Sequence, residues 1–473
     1  MVLEDQGATL GSSVAHAERC LKNLEIFKHL NAFLCLNPVV LDEAKSVDRR
    51  HEEGEYLPLR GMIVAVKDNI ETAGLNTTGG AVALKDYVPR RDAFALRRLK
   101  QRGAVVIGKT NLDELAGAGS TLSSLGGQSL NPYDPSRTPA GSSGGSAIAV
   151  AIGACTVALG TETVNSIRNP AHVCGAFGLR PSRGLIARSG TIPVSPTMDV
   201  LGPLAGTVED LALAFRMMIG FDRDDAVSLA SRDFDRDGLK VSRWPKVEGM
   251  RIGVLSGLFG TGLEHVGINR CLDAAFERLR SSDVVVVDIA EPQFNSLSLY
   301  NDLALHAHEF ESAFDGWLSG LDTCAPIRSF RAYVEDGRWP HSTMHMLLKT
   351  ALEADRDDAK LVYARKIAAA KTIRTLTEQI MLEHRLDALA YPVQQRAALL
   401  IGEQSRPERN GVLASALGWP AINVPVGQYE GLPVGLDLMA FPFQEPLLFS
   451  LAKAVQGPPA RPKPYRMRGS KFV

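Results

Sequence analysis

The chain lacks a charge surplus of either sign: 52 Lys and Arg stand against 53 Asp and Glu, a net charge of -1. A nucleic-acid binder needs a basic face, so that class has no electrostatic support. The basic stretch near the end, Arg461 to Lys471, reads as a solvated tail. Cysteine is scarce. The six residues Cys20, Cys35, Cys155, Cys174, Cys271 and Cys324 include no C-x-x-C pair, which argues against a disulfide framework or a zinc site. His16 before Cys20 and His172 before Cys174 have no further ligands nearby, and His306 and His308 lie two apart in a helical segment, on different faces. No metal or cofactor is expected. Long apolar runs are missing too: the longest is broken by Gly153, and Met1 to Gln6 carries neither a basic nor an apolar leader region. The expectation is a soluble, reduced, cytoplasmic protein with a small-molecule substrate and no nucleic-acid or membrane partner, monomeric or homodimeric. There is no internal repeat and no linker, which points to one domain over 1–473.

What is present is 45% hydrophobic residues, ample for a large core. Residues 12–45 space their apolar positions by three and four (Leu21, Leu24, Phe27, Leu30, Phe33), which predicts helix. Met62 to Val66 is a continuous, partly β-branched run closed by Lys67, a buried strand. Arg91 to Gly103 predicts an amphipathic helix and Ala104 to Asn111 a second strand, a β-α-β order that implies parallel pairing. Cys174 to Pro181 and Ile192 to Asp199 read as loops covering the sheet. Strands are expected again at 249–255, 284–289, 386–392, 423–427 and 432–439, with a mainly helical block between.

Two serine-bearing loops dominate the sequence: Thr138-Pro-Ala-Gly-Ser-Ser-Gly-Gly-Ser146 and Gly160-Thr-Glu-Thr-Val-Asn-Ser-Ile-Arg168. A small-residue apolar stretch, Ala147 to Leu159, joins them and reads as a buried helix running into a strand, so both loops meet at one end of the core. As a phosphate loop the first run fails, because no lysine closes it and a turn precedes it. Gly141-Ser-Ser143-Gly-Gly145 also fits the G-x-S-x-G nucleophile elbow, but that elbow needs a leading strand, and Pro132, Pro135 and Pro139 oppose one. Lys67 on its own reads as a surface residue with a snorkelling stem.

A third reading comes from resemblance. Gly61 to Asp68, Gly108 to Leu115, Asn131 to Asp134, Ala140 to Ala147, Gly160 to Arg168 and Cys174 to Pro181 resemble, in order, the motifs of the amidase signature family. Pro193 to Pro196, Asp199, Gly202-Pro203 and Gly431 to Leu436 extend the similarity to most of the chain outside 260–385. The resemblance implies an α/β fold with a large mixed, mostly parallel twisted sheet covered by helices on both faces. It divides the chain into an N-terminal helical segment (1–56), a signature core (57–210), a variable helical pocket region (260–385), a return to the core (386–456) and a tail (457–473). It implies C–N bond hydrolysis by a Ser-cisSer-Lys triad, with Lys67 as base, Ser142 as the relay after a cis peptide bond and Ser166 as nucleophile. Ser143 becomes a supporting hydrogen-bond donor. Ala116 and Gly117 fall at the substrate.

The chemistry gives each part a purpose. Serine is a weak nucleophile until a base takes its proton. Lysine accepts a proton only when neutral, and moving its pKa from about 10.4 to about 7 costs roughly 4.6 kcal/mol of differential solvation, which burial supplies. Backbone N–H groups of Thr163, Val164, Asn165 and Ser166 are expected to form the oxyanion hole. Val164 and Asn165 replace the two glycines of the commonest family pattern. Either the backbone there has ordinary dihedrals, which a β-branched residue requires, or the hole is altered and the chain is a degenerate member. Arg168 reads as a structural ion-pair residue, with anionic-substrate binding as the alternative.

For the substrate, the block 260–385 and its leading edge supply Phe259, Phe310, Phe314, Trp317, Phe330, Trp339, Met344, Met346 and Leu347. As a cleft lining these predict uncharged apolar amides, anilides or carbamates (urethanes); as helix-packing residues they predict nothing. The same motifs are similar to those of the amidase component of a tRNA-dependent amidotransferase, which works with partner subunits and channels ammonia.

Overall fold

The structure, a computed structural model, describes residues 11–321, 326–403 and 409–458. Cys324, the stretch Met1 to Gln6 and the basic tail Arg461 to Lys471 lie outside those residues. The strands in chain order are β1 (Phe33–Leu36), β2 (Ile63–Lys67), β3 (Val105–Thr110), β4 (Leu122–Ser123), β5 (Gly127–Gln128), β6 (Val157–Glu162), β7 (Phe177–Arg180), β8 (Val200–Ala205), β9 (Arg251–Leu255), β10 (Val285–Ile289), β11 (Ala388–Tyr391), β12 (Ala421–Tyr429) and β13 (Leu432–Ala440). Eleven of them form one sheet in the order β1-β3-β2-β6-β8-β7-β12-β13-β11-β9-β10; β4 and β5 pair separately.

Strand β2 shows why the sheet is covered on both faces. Val64 and Val66 point into one core with the helices Phe94–Lys100 and Val208–Met218. Ile63 and Ala65 point into the other with Ser13–Ile26, Val40–Glu52 and Gly144–Ala151. A strand with apolar residues on both sides of its pleat needs such a sandwich.

The mixed sheet is as expected, but parallel pairing is confined to two groups, β3-β2-β6 and β11-β9-β10. The remaining neighbours, including the whole centre from β6 to β13, are antiparallel. The stretch 12–45 is not one helical run. Asn31, at φ 55, ends a short turn, and Phe33 enters the sheet edge opposite Thr110. The spacing reflects a real helix over Ser13–Ile26, which carries Leu21 and Leu24, and Leu30 and Phe33 continue it only by coincidence. The Arg91–Gly103 helix is shorter than expected, Phe94–Lys100. The segment 174–181 is no covering loop: Phe177–Arg180 is strand β7 inside the sheet, its pattern obscured by a fully buried arginine.

The helices His306–Ser319, Phe330–Asp336 and His341–Leu352 form a cap with its own core. Phe310, Phe314 and Phe330 are fully buried and stack edge to face, with Phe310 and Phe330 centroids 5.0 Å apart. Met344 and Leu347 join them, Phe259 packs on Phe276 in the main core, and Met346 is 69% exposed. The aromatic set therefore does not line a cleft. Three amphipathic helices bury their apolar faces against one another, and that uses the set up. Among the described residues no helix is long and apolar enough to cross a membrane, and no cluster of His, Cys, Asp and Glu is suited to a metal.

Candidate active site

Register brings the site together. β2 and β6 are parallel neighbours with Val66 opposite Leu159, so Lys67 at the end of β2 lies beside Gly160 and Thr161. The fully buried Lys67 Nζ sits 2.8 Å from Thr161 Oγ1, 3.3 Å from the Thr161 carbonyl and 2.7 Å from Ser142 Oγ. Burial pulls its pKa down to about 7, against the opposing charges of Asp113, Asp199 and Glu162. A neutral amine at 2.7 Å from a hydroxyl can accept its proton. Lys67 is thus no surface lysine.

Ser142 and Ser143 stand just before the helix Gly144–Ala151, and the Gly141–Ser142 peptide bond is cis. Glycine at 141 is required by close approach, since a Cβ there would lie 1.8 Å from Asp113 Oδ2. The helix packs equally tightly at Gly145, where a Cβ would lie 2.3 Å from the Asn111 carbonyl. The Asp113 N–H donates to the Ser142 carbonyl at 3.2 Å. The Ser143 N–H donates to the Ser166 carbonyl at 3.1 Å and its hydroxyl to the Thr161 carbonyl at 3.2 Å. Ser143 therefore staples the two serine loops together.

Between β6 and the helix Arg168–Cys174 the chain turns through Thr163, Val164, Asn165 and Ser166. None of the four has a positive φ, so Val164 and Asn165 take ordinary backbone geometry. Thr163 Oγ1 donates to Asp199 at 2.6 Å, the Val164 carbonyl accepts from Ser415 Oγ at 2.5 Å, and the Asn165 carbonyl accepts from the Asn169 N–H at 2.9 Å. With these carbonyls held, the N–H groups of Val164, Asn165 and Ser166 find no acceptor among the described residues. Ser166 itself is 6% exposed.

Behind the turn lies a buried charge cluster. Glu162 accepts from the Ile167 and Arg168 N–H groups and from the Arg168 guanidinium, which also reaches Asp437 Oδ2 on β13 at 2.5 Å. Burial works against the Arg168 charge, and the two carboxylates outweigh it. Arg168 is fully enclosed, which fits the ion-pair role.

Ala116 and Gly117 lie on a neighbouring loop. Ala116 has φ 59 and packs in the cap core, and a Cβ on Gly117 would lie 2.6 Å from Leu347. Asp113 shapes this loop by accepting from the Ser120, Thr121 and Leu122 N–H groups. Sequence reasoning missed Thr161, Asn69, Asp113 and Asp199 as members of the site. Thr161 sits inside a motif and Asn69 two residues beyond Lys67, which was the available signal. Asn69 Nδ2 donates to Thr161 Oγ1 at 3.0 Å, and both line a cavity of about 220 Å³ bounded by residues from 188 to 201 and by Asp224 and Asp225.

The Amidase family model matches residues 16–449 of this chain. A glutamyl-tRNA(Gln) amidotransferase subunit of Methanosarcina acetivorans is 34% identical over 440 residues, covering 89% of each chain. Among solved structures, the native peptide amidase from Stenotrophomonas maltophilia superposes with a TM-score of 0.83 at 31% identity, covering 95% of both chains. The corresponding amidotransferase subunit of Thermotoga maritima gives 0.73 at 26% identity, covering 98% of this chain and 99% of its own.

Proposed function

The chain belongs to the amidase signature family, and from that membership and the geometry of the site we propose that it hydrolyses amide C–N bonds through an acyl-enzyme on Ser166. Neutral Lys67 takes a proton from Ser142 Oγ as Ser142 takes one from Ser166 Oγ. Ser166 Oγ then attacks the carbonyl carbon, and the N–H groups of Thr163, Val164, Asn165 and Ser166 receive the negative oxygen. On collapse the proton returns through Ser142 to the leaving nitrogen, the C–N bond breaks, and the amine departs. Water attacks the acyl group by the same relay, and the acid leaves with Ser166 restored. The observation that carries this reading is the 2.7 Å contact between a buried lysine and Ser142, on a loop stapled to Ser166 by Ser143. A carbamate presents the same carbonyl and belongs in the same assay.

A second reading has its own support: sequence relatives 33–35% identical bear the name of an amidotransferase component. Both readings share the hydrolytic half-reaction and differ in whether the chain acts alone. Purified protein would be assayed on a nitroanilide, an N-aryl carbamate, a primary aryl amide and glutamine, with a serine-directed fluorophosphonate as label. Turnover by the isolated chain, with labelling lost in Ser166→Ala, is the expected result. A chain that labels at Ser166 yet turns over only after partner subunits are added would favour the second reading. Labelling that survives Ser166→Ala would overturn both.

A further inference from the structure

Arg409 is half-buried, and its guanidinium forms no hydrogen bond or ion pair among the described residues. Its backbone is firmly held. Arg409 bridges to Gln394, Asn410 Nδ2 donates to the Leu258 and Pro392 carbonyls at 2.8 and 2.7 Å, and Gly411 lies against Asn165, where a Cβ would come within 2.6 Å of the Asn165 Cβ. The guanidinium lies over Gly119: a Cβ on that glycine would sit 2.2 Å from Nη2 and 2.5 Å from Nη1. Gly119 precedes Ser120, whose N–H is held by Asp113, the carboxylate that crowds Gly141. Arg409 thus spans the space between the loop that flanks Ser142 and the turn that carries Ser166. Any side chain at 119 would take the seat the guanidinium occupies.

Among the described residues no acid is hydrogen-bonded or ion-paired to that charge. Asp113 is the nearest acid to feel Arg409, but its oxygens already accept three backbone N–H groups, and burial pushes its pKa upward. The other groups in the field of this corner, His306 and Lys366, are bases. A fork of N–H donors seated over Gly119, on a residue two positions from the Gly411 that abuts Asn165, with no acid of the described residues bonded to it, matches a carboxylate in both geometry and charge.

We propose that Arg409 binds a carboxylate carried by the substrate, so that the preferred substrates are amide acids whose carboxylate lies a few bonds from the scissile carbonyl. This rests on Ser166 being the nucleophile. The test compares succinamic acid, the monoamide of succinic acid, with its methyl ester in the wild type, Arg409→Gln and Arg409→Lys. Wild type should favour the acid. Arg409→Gln should lower kcat/KM for the acid by about 10- to 100-fold, mainly through KM, and leave the ester unchanged; Arg409→Lys should fall between. Equal wild-type turnover of acid and ester, or equal loss of both in Arg409→Gln, overturns the proposal. Calorimetry with Ser166→Ala separates it from the hydrolytic reading. Succinamate should bind that variant and fail to bind Ser166→Ala/Arg409→Gln, whether or not the wild type turns over. Absence of binding to Ser166→Ala, or binding indifferent to Arg409, refutes it.

Discussion

Replacing Lys67 by methionine should abolish turnover and, at neutral pH, make the protein more stable. In the unfolded chain the lysine titrates near 10.5, and in the fold burial brings it down to about 7. Between those values the unfolded state holds a proton that the folded state has released, so stability rises with pH through that window. Below about pH 7 both states are protonated, and the fold bears the full cost of burying the ammonium. At pH 7 that cost is about 4 kcal/mol, the difference between about 10.5 and about 7 converted at about 1.36 kcal/mol per pH unit, with the folded lysine half protonated. Methionine removes it but forfeits the contacts with Ser142 and Thr161, about 1 kcal/mol apiece. The net expectation is a gain of about 2 kcal/mol at pH 7 that shrinks, and then reverses, as pH approaches 10. Urea denaturation of wild type and Lys67→Met at several pH values between about 6 and 10 measures the difference directly. A gap that stays constant with pH, or widens upward, would show that the lysine is not held neutral by burial. Wild-type activity should fall on the acid side with a midpoint near 7 when chemistry limits the rate.

The remaining expectations are shorter. Ser166→Ala should lose both hydrolysis and probe labelling, whereas Ser143→Ala, which removes one hydroxyl donor but keeps the N–H bond to Ser166, should retain a substantial rate; the reverse order would restore the G-x-S-x-G elbow. Arg168→Met should destabilise by about 3–5 kcal/mol in denaturant titration, because Asp437 stays buried without its counter-charge and Glu162 is left with Arg180 alone. Gly141→Ala should lower Tm and activity together, since its methyl collides with the Asp113 carboxylate; a variant with wild-type Tm would contradict the close packing.

The grouping of Lys67 with the serine loops was legible only through the family resemblance, since Lys67 on its own reads as a surface residue. Ser142 and Ser166 each sit in a short run of glycines and hydroxyls, Lys67 closes an apolar strand, and β2 and the first halves of β3 and β6 are continuous apolar runs. What escaped depends on distant partners. β7 holds a buried arginine that looks like a loop residue until Glu162 is seen beside it. The antiparallel centre of the sheet follows from pairings such as β7 with β12, which no local window contains. Arg409 lies in an undistinguished polar stretch far along the chain, and its setting is created by the fold. The aromatic block was misleading for the opposite reason. Composition reported the right residues, but a helical cap consumes aromatics as readily as a cleft does.

The Arg168–Asp437 pair bears on when, during synthesis, the serine turn becomes fully ordered. Asp437 lies on β13, the last strand among the described residues, whereas the serine turn is translated near the first third of the chain. During synthesis Ser166 therefore emerges long before Asp437, the second of the two carboxylates that pair with Arg168. Until β13 docks, Arg168 has Glu162 beside it but lacks Asp437, and the turn is not yet tied to the far half of the sheet, so its final order should arrive late. Ribosome-stalled chains ending before residue 437 should remain unlabelled by a serine-directed probe, and chains long enough to release β13 from the exit tunnel should label. The chain would thus pass through most of its own synthesis with Ser166 on an incompletely anchored turn.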